Sequence, residues 1–453
     1  MHARQAAFVA ILGASLLAEG SSSWAEEPDA AAAERGRVAL TSTGYLPPAW
    51  RDRAYAQVGR LWQEAAPDPD RDPEAYGAAF RERYGLHVAP YPNDGLPMGL
   101  RRGNGPNGTK KGLQIDCLVC HGGAIGGKTY VGLGNSSLDL HSLLADLTRA
   151  DYNRAPLLGF TLNTTRGTVN APQISAVLLS LRNADLSRRS FPLLMNAHFP
   201  EMDIPAWWLL AKKSTMYSDG RTDARAIRTN MQFFLGDLSL DELKELEPTF
   251  RDIMAYVKSL KPPRYPFPID TEKASRGRPI FERTCSKCHG TYGPNGSYPN
   301  VIVDLKEIGT DPARALGLSD RLAAHYNTTW FAEEYPVEET MTGYQAPPLD
   351  GIWATAPYLH NGSVPTLSAM LKSSTRPARY RRPASTDFAN YDTVNVGWKY
   401  EELAEPPSPA LPWYEAHFLF DSSRFGLSNR GHTFGDKLTD EQRMAVIEYL
   451  KTL

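Results

Sequence analysis

Two short stretches, Cys117-Leu118-Val119-Cys120-His121 and Cys285-Ser286-Lys287-Cys288-His289, share the pattern Cys-x-x-Cys-His. Together they contain all four cysteines of a 453-residue chain. Histidine accounts for only 10 of those residues, so its place directly after both cysteine pairs is not explained by composition. The two stretches decide how the remaining sequence is interpreted.

The pattern Cys-x-x-Cys-His is typical of the attachment of c-type haem. Two thiols one helical turn apart form thioether bonds to one porphyrin edge, and the adjacent histidine reaches the iron as its proximal ligand. We therefore expect two covalently bound haems as cofactors. The predicted haem-binding residues are Cys117, Cys120, His121, Cys285, Cys288 and His289.

Two other uses of paired cysteines explain the pattern less well. A zinc site would place the pairs about 15–20 residues apart, whereas these pairs lie in opposite halves of the chain. A redox dithiol would give the two histidines no function. Once both pairs hold haem, no cysteine remains for a disulfide.

The first 25 residues have the features of a secretory signal peptide. Arg4 precedes the apolar run Ala6–Ala18, and Ser23-Trp24-Ala25 resembles a cleavage site. The apolar run is too short to span a membrane. We therefore predict a periplasmic or secreted protein without a membrane span, which exchanges electrons with a periplasmic donor or acceptor. The net charge of −2 argues against a nucleic-acid partner.

A proline-rich segment, Lys261–Pro268, separates the two motifs and interrupts regular structure. It predicts an N-terminal haem domain over residues 26–262 and a C-terminal haem domain over residues 263–453. No region shows convincing alternation over several strands. The expected fold is mostly α, with two cytochrome c-like haem domains, long loops and an elaborated N-terminal region.

Apolar residues at helical spacing support this fold class. The segments predicted to be helical are Trp50–Ala66, Pro73–Tyr84, Ser136–Leu147, Pro248–Leu260, Thr271–Arg283 and Thr439–Leu453. In the cytochrome c fold, the helix before the haem motif crosses the C-terminal helix through a glycine and an aromatic residue. By that analogy, Gly277 and Phe281 should contact Tyr449.

The residue opposite each proximal histidine decides whether a haem carries electrons or performs chemistry. Two histidines have a distinctive context. His432 lies between Gly431 and Gly435, which allow close approach to a flat macrocycle. His360 ends an apolar run just before an Asn-Gly turn, where it could bind iron or a haem propionate.

The run Pro348–Leu367 resembles the signature of the dihaem cytochrome c peroxidase/MauG superfamily, and is closest to its dihaem rubber-oxygenase branch. Gly132–Asn135, Leu138–Leu140 and Gly431–Gly435 are similar to that branch too. The resemblance covers most of residues 80–453.

This resemblance implies a division of labour between two haems. The haem held by His121 would be open and would react with peroxide or dioxygen. The haem held by His289 would be six-coordinate and would relay electrons, with His432 as its second ligand. Met370 and Tyr380 are alternative second ligands, because other members use Met or Tyr in that role.

The aromatic run Ile204–Leu210 is either a buried core patch or part of the first haem pocket. The family implies a tryptophan between the haems, and Trp208 is our candidate. We expect His121, Trp208 and His360 to take part in catalysis. The resemblance also implies a calcium ion between the domains, for which Asn135 and Asp139 could supply oxygen ligands.

The chain is much shorter than the rubber oxygenase, so its organic substrate is left open. A distal acid–base group cannot be assigned from the sequence. The alternative function is a dihaem electron-transfer cytochrome with both haems six-coordinate and no catalytic site.

Overall fold

The computed structural model describes residues 29–42, 47–104, 111–152, 161–193, 199–236, 238–406, 411 and 413–453. The predicted signal peptide, Met1–Ala25, lies outside these residues. Within them, no helix is sufficiently long and apolar to cross a membrane.

Helices dominate the described residues. The α-helices are α1 (Ala30–Ser42), α2 (Arg53–Gln57), α3 (Pro73–Tyr84), α4 (Leu118–His121), α5 (Leu140–Tyr152), α6 (Ala171–Ser180), α7 (Leu240–Ser259), α8 (Thr271–Thr284), α9 (Ser286–His289), α10 (Leu305–Ile308), α11 (Ala313–Gly317), α12 (Asp320–Asn327), α13 (Leu367–Met370), α14 (Trp413–Ala416) and α15 (Asp440–Leu450). The longer 3-10 helices are Val58–Leu61, Trp207–Ala211 and Ile227–Phe234.

Small antiparallel sheets accompany the helices. The paired strands are β1 (Leu100–Asn104) with β2 (Lys111–Ile115), β3 (Gly122–Ile125) with β4 (Lys128–Val131), β5 (Thr168–Val169) with β6 (Met202–Asp203), β7 (Thr215–Met216) with β8 (Thr222–Asp223), β9 (Ile302–Asp304) with β10 (Gly343–Gln345), and β12 (Tyr391–Asp392) with β13 (Gly397–Trp398). A three-stranded sheet has β11 (Arg379–Arg381) between β14 (Glu401–Glu402) and β15 (Leu419–Asp421). These strands are too short to produce an alternating pattern, so the sequence did not predict them.

Helix ends agree with the capping chemistry of the sequence. The Asp72 side chain accepts a hydrogen bond from the Ala75 amide at 3.0 Å, and Gly85 ends α3 in the left-handed conformation. Thr439 and Gln442 form a capping box at the start of α15. The predicted helix Trp50–Ala66 is wrong in extent, because only α2 and one 3-10 turn form there.

In the C-terminal half, α8 crosses α15 at a glycine, as predicted. A Cβ atom at Gly277 would collide with the backbone oxygen of Ala445, so only glycine permits this approach. One turn later, the Phe281 and Tyr449 rings pack with their centroids 5.2 Å apart. This prediction is confirmed.

The N-terminal half contains a second crossing of the same kind, between α1 and α7. A Cβ atom at Gly36 would collide with the backbone oxygen of Asp252. The Arg35 guanidinium also forms an ion pair with the Asp252 carboxylate at 2.7 Å. Unlike α8, which leads directly into its haem motif, α1 is separated from Cys117 by a long segment containing α2, α3, β1 and β2.

Candidate haem sites

The first Cys-x-x-Cys-His motif forms a single helical turn, α4, beginning after Cys117. The Asp116 carboxylate accepts a hydrogen bond from the Leu118 amide at 2.8 Å, which fixes the start of this turn. The His121 Nδ1–H donates to the carbonyl oxygen of Pro205 at 3.1 Å. Because a neutral imidazole carries one proton, this bond leaves His121 Nε2 able to bind a metal.

An aromatic ring lies beside the first proximal histidine. Trp207 stacks on His121 with ring centroids 4.6 Å apart and an interplanar angle of 22°. Burial lowers the pKa of His121 to about 4, which keeps the ring in its neutral, metal-binding form at ordinary pH. In the described part of the chain, no second imidazole is stacked on or paired with His121.

The second motif forms the turn α9 and repeats the support of its histidine. The His289 Nδ1–H donates to the carbonyl oxygen of Pro347 at 2.8 Å. The Tyr292 hydroxyl donates to the His289 backbone oxygen at 3.0 Å. Burial lowers the pKa of His289 as well. Both proximal histidines are therefore held in the same tautomer by a prolyl carbonyl.

The second site differs from the first because an imidazole faces its proximal histidine. The centroids of the His289 and His432 rings are 6.0 Å apart. A metal–imidazole bond is about 2 Å long, so two imidazoles on opposite sides of one metal have centroids about 6 Å apart. Burial lowers the pKa of His432 to about 3, which favours its neutral form. This donor set fits a six-coordinate haem iron.

The loop that carries His432 lies directly on the backbone of a neighbouring segment. Gly431 has a φ of 76°, and a Cβ atom there would collide with the Gly309 and Thr310 backbone. The His432 amide donates to the carbonyl oxygen of Ile308 at 2.7 Å. His432 itself has a φ of 46°, so its side chain is placed by an unusual backbone conformation.

The four cysteines, all within the described residues, form no disulfide. Burial raises the pKa of Cys120 and of Cys285 to about 12. Reactive dithiols have the opposite shift, so these thiols do not resemble a redox pair. No cluster of three or more histidine, cysteine or acidic side chains that could hold a metal ion occurs in the described residues.

Trp208 lies between the supports of the two proximal histidines. Its Nε1–H donates to the backbone oxygen of Asp350 at 2.8 Å, and its side chain is buried. Trp207, the preceding residue, stacks on His121, and Asp350 follows Pro347 by three positions. The placement agrees with a tryptophan between two haem sites, although its part in catalysis stays a prediction.

His360 packs against a tyrosine and is hydrogen bonded to the segment just before Pro205. Its imidazole stacks on Tyr344 with centroids 4.3 Å apart, and burial lowers its pKa to about 3. Its backbone oxygen accepts a hydrogen bond from the Asp203 amide at 3.0 Å, two residues before Pro205. Through this backbone hydrogen bond, His360 stabilises the segment that contains Pro205. Its predicted catalytic role stays untested.

The two residues considered as alternative second ligands, Tyr380 and Met370, make contacts elsewhere in the protein. The Tyr380 hydroxyl donates to the Gly362 carbonyl oxygen at 3.0 Å, and its ring stacks on Phe420. Met370 is partly buried and packs against the hydrophobic cluster that contains Phe281 and Tyr449. Among the ring contacts of the described residues, His289 is paired with His432 and not with Tyr380.

The side chains proposed for calcium are already hydrogen bonded within the protein. The Asn135 amide group donates to the Gly85 carbonyl oxygen at 2.8 Å and contacts His87 at 3.1 Å. The Asp139 carboxylate pairs with His417 Nδ1 at 2.8 Å. A calcium ion stays a prediction that these contacts do not favour.

Three features of the sites were missed at the level of sequence. Pro205 and Pro347 act through backbone oxygens, and Trp207 rather than Trp208 stacks on His121. A carbonyl acceptor has no signature in side-chain chemistry.

Comparison with known proteins identifies part of the chain. Residues 343–381 match the family described as RoxA-like, cytochrome c-like. The match indicates that a cytochrome c-like domain is present around these residues. The matched residues include β10, Pro347 and His360. The match implies a c-type haem.

Two uncharacterized proteins of Sinorhizobium fredii are related to the chain. The protein y4iJ is 28% identical over 56% of this chain and 54% of its own length. The protein y4iM is 29% identical over 55% of this chain and 64% of its own length. The chain thus spans between about half and two thirds of the length of these curated relatives.

Among solved structures, the hydrazine synthase of Kuenenia stuttgartiensis, studied under 20 bar of xenon, is 14% identical. The match covers 66% of this chain and 98% of that chain with a TM-score of 0.20. A TM-score of this size carries no argument about shared fold or function.

Proposed function

We propose that the chain is an exported dihaem c-type cytochrome oxidoreductase. In this proposal, the site of His121 reacts with peroxide or dioxygen, and the site of His289 and His432 relays electrons from or to a periplasmic partner. That the chain is a c-type cytochrome oxidoreductase is supported by the cytochrome c-like match at residues 343–381.

The observation that carries the proposal is the difference between the two motif histidines. His289 has His432 at 6.0 Å, at the separation expected across one iron. His121 has Trp207 beside it, and the other described histidines are engaged elsewhere. Those histidines are His87, His141, His325, His360 and His417. An iron without a sixth protein ligand can bind peroxide or dioxygen.

A bound haem would supply one-electron redox chemistry at each site, and the protein would supply its orientation. The carbonyl oxygens of Pro205 and Pro347 hold the two histidines by their Nδ1–H groups. This fixes each ring and raises its basicity toward a metal. Trp208 follows Trp207, which stacks on His121, and its Nε1–H donates a hydrogen bond to the backbone oxygen of Asp350, three residues after Pro347.

The binding of carbon monoxide to the fully reduced protein tests this function. The proposal expects one carbon monoxide per chain, because only the His121 haem would be open. His121→Gly should also abolish the consumption of peroxide or dioxygen while the absorption of the second haem stays unchanged. Arg379→Gln, which removes an ion pair with Asp421 and no contact of either proximal histidine, is the control. No carbon monoxide binding at either haem would contradict the proposal and favour a plain electron carrier.

A further inference from the structure

The loop that carries His432 is held from one side by the single side chain of Arg376. All three guanidinium nitrogens of Arg376 donate hydrogen bonds, and every acceptor is a backbone carbonyl. The acceptors are the oxygens of Ala369 (3.1 Å), Met370 (3.1 Å), Asn429 (2.7 Å), Gly431 (2.6 Å) and His432 (3.1 Å). Arg376 therefore joins the α13 segment to the loop before α15.

The geometry suits arginine and no other residue. Five N–H groups in a rigid planar fork match five carbonyl oxygens from two separate segments. Hydrogen bonds from a charged donor are stronger than those between neutral groups. In the described residues, Arg376 forms no ion pair within 4 Å, and its charge is stabilised by the nearby Asp436 carboxylate together with these carbonyl dipoles. One of them belongs to His432 itself.

The opposite side of the same loop is held by backbone contacts. The His432 amide donates to Ile308, and Gly431 lies against Gly309. The loop that carries His432 is thus held between Arg376 on one side and the backbone of Ile308 and Gly309 on the other. His432 has a φ of 46°, a conformation that needs support from its surroundings.

We propose that Arg376 is a positioning residue that holds His432 opposite His289 and thereby keeps the second haem closed to external ligands. This inference rests on the proposed role of His432 as the sixth ligand. Without Arg376, His432 would remain in the chain but would detach from the iron in a fraction of molecules. The second haem would then resemble the first.

Other contacts between the same segments would preserve the fold without Arg376. The Ser373 amide donates to Asp436 at 2.7 Å, and the Asn429 side chain donates to the Pro377 carbonyl oxygen at 2.8 Å. These bonds hold the segments together but do not involve the His432 carbonyl. Loss of Arg376 should therefore change the second haem more than it changes overall stability.

The test compares the spin state and the carbon monoxide stoichiometry of four proteins: wild type, H432A, R376Q and R379Q. H432A defines full detachment, with a second high-spin haem and two carbon monoxide molecules per chain. We expect R376Q to lie between wild type and H432A. Glutamine offers at most two N–H donors in place of the five that arginine uses, and such a loss of hydrogen bonds shifts an equilibrium by about tenfold or more. R379Q should match wild type, because the Arg379 side chain contacts Asp421 and Ala404 and not the His432 loop.

The outcomes separate this inference from the proposed function. If H432A becomes high-spin while R376Q keeps the wild-type spectrum, the role of Arg376 is refuted and the ligand assignment stands. If H432A itself stays low-spin, the ligand assignment fails, and the inference fails with it. Should R376Q not fold, R376K keeps the charge but offers only three donors. A measurable high-spin fraction in R376K supports the inference, and a wild-type spectrum overturns it.

Discussion

The two Cys-x-x-Cys-His sites are alike on the proximal side of the histidine and different on the other. His121 and His289 each donate a hydrogen bond to a prolyl carbonyl oxygen, at 3.1 and 2.8 Å. Among the residues that the structure describes, His289 alone faces another imidazole, that of His432. The two sites thus orient their proximal histidines in the same way and differ in the side chain that faces the histidine. The ligand on that opposite side decides the chemistry of a haem.

The scaffolds around the two sites show the same contrast. Each half has a helix crossing that depends on a glycine, Gly36 against Asp252 and Gly277 against Ala445. In the C-terminal half, α8 runs directly into its motif. In the N-terminal half, a long segment with its own aromatic core separates α1 from Cys117. The simple half carries the site proposed to be closed by His432, and the elaborated half carries the site proposed for catalysis.

The largest expected effect comes from removing the thiols of one site. C117A/C120A and C285A/C288A should each leave one covalent haem per chain, because each pair is proposed to tether its own haem. The pyridine haemochrome assay and intact-protein mass measure this directly. S286A, which changes the spacer within the second motif, should keep both haems. Loss of both haems, or of neither, from one double variant would break the comparison.

The two helix crossings should be similarly sensitive to an added side chain. G277V and G36V each force a helix away from a backbone oxygen, which should lower the free energy of unfolding by about 3 kcal/mol. Urea denaturation monitored by circular dichroism measures it. G236A is the control, because a Cβ atom there would meet Leu178 at an ordinary 3.7 Å. A large loss in only one of the two valine variants would show that the crossings are not equivalent.

Acid should destabilise the N-terminal half through His87. Burial lowers the pKa of His87 from 6.5 to about 4, against a smaller opposing effect of its hydrogen bond to Asn135. Between these pH values the unfolded chain binds a proton that the folded chain does not. Stability should therefore fall by up to about 3 kcal/mol as the pH falls from 6.5 to 4.

Urea denaturation of wild type and H87Q at pH 7 and pH 4 isolates this contribution. The variant should lose about 3 kcal/mol less than wild type over that interval. Equal losses in the two proteins would mean that His87 does not resist protonation in the fold.

The smallest expected effect on stability comes from the tryptophan between the sites. W208F removes the hydrogen bond to Asp350 and should cost about 1–2 kcal/mol. W398F should cost a similar amount, because it loses an equivalent bond to the Ala356 carbonyl oxygen at 2.9 Å. Stopped-flow measurement of electron exchange between the haems should show slowing in W208F only. Equal rates in both variants would remove Trp208 from the electron path.

Much of the helical scaffold could be predicted from the sequence. Helix α3 has both ends marked by residues with strong local preferences, Asp72 and Gly85, and its bounds were predicted correctly. The pairing of Phe281 with Tyr449 was expected from the resemblance to the cytochrome c fold, and the structure contains it. The sheets were missed, because strands of two to five residues carry no periodic signal.

The candidate sites were predictable only in part. The position of His432 opposite His289 was suggested by flanking glycines and a family resemblance, and the geometry agrees with it. The contacts of Arg376, Pro205 and Pro347 could not be foreseen, because they depend on backbone carbonyls brought together by tertiary packing. His360 was chosen for its motif, and its stacking on Tyr344 could not be foreseen from the sequence.

The electron paramagnetic resonance spectrum of the oxidised protein tests the central contrast most directly. One open site and one closed by His432 should give one high-spin and one low-spin ferric haem in equal amounts. H432A should convert the low-spin signal to high spin and leave the first signal unchanged. Two low-spin haems in the wild-type protein would contradict the proposed difference between the sites.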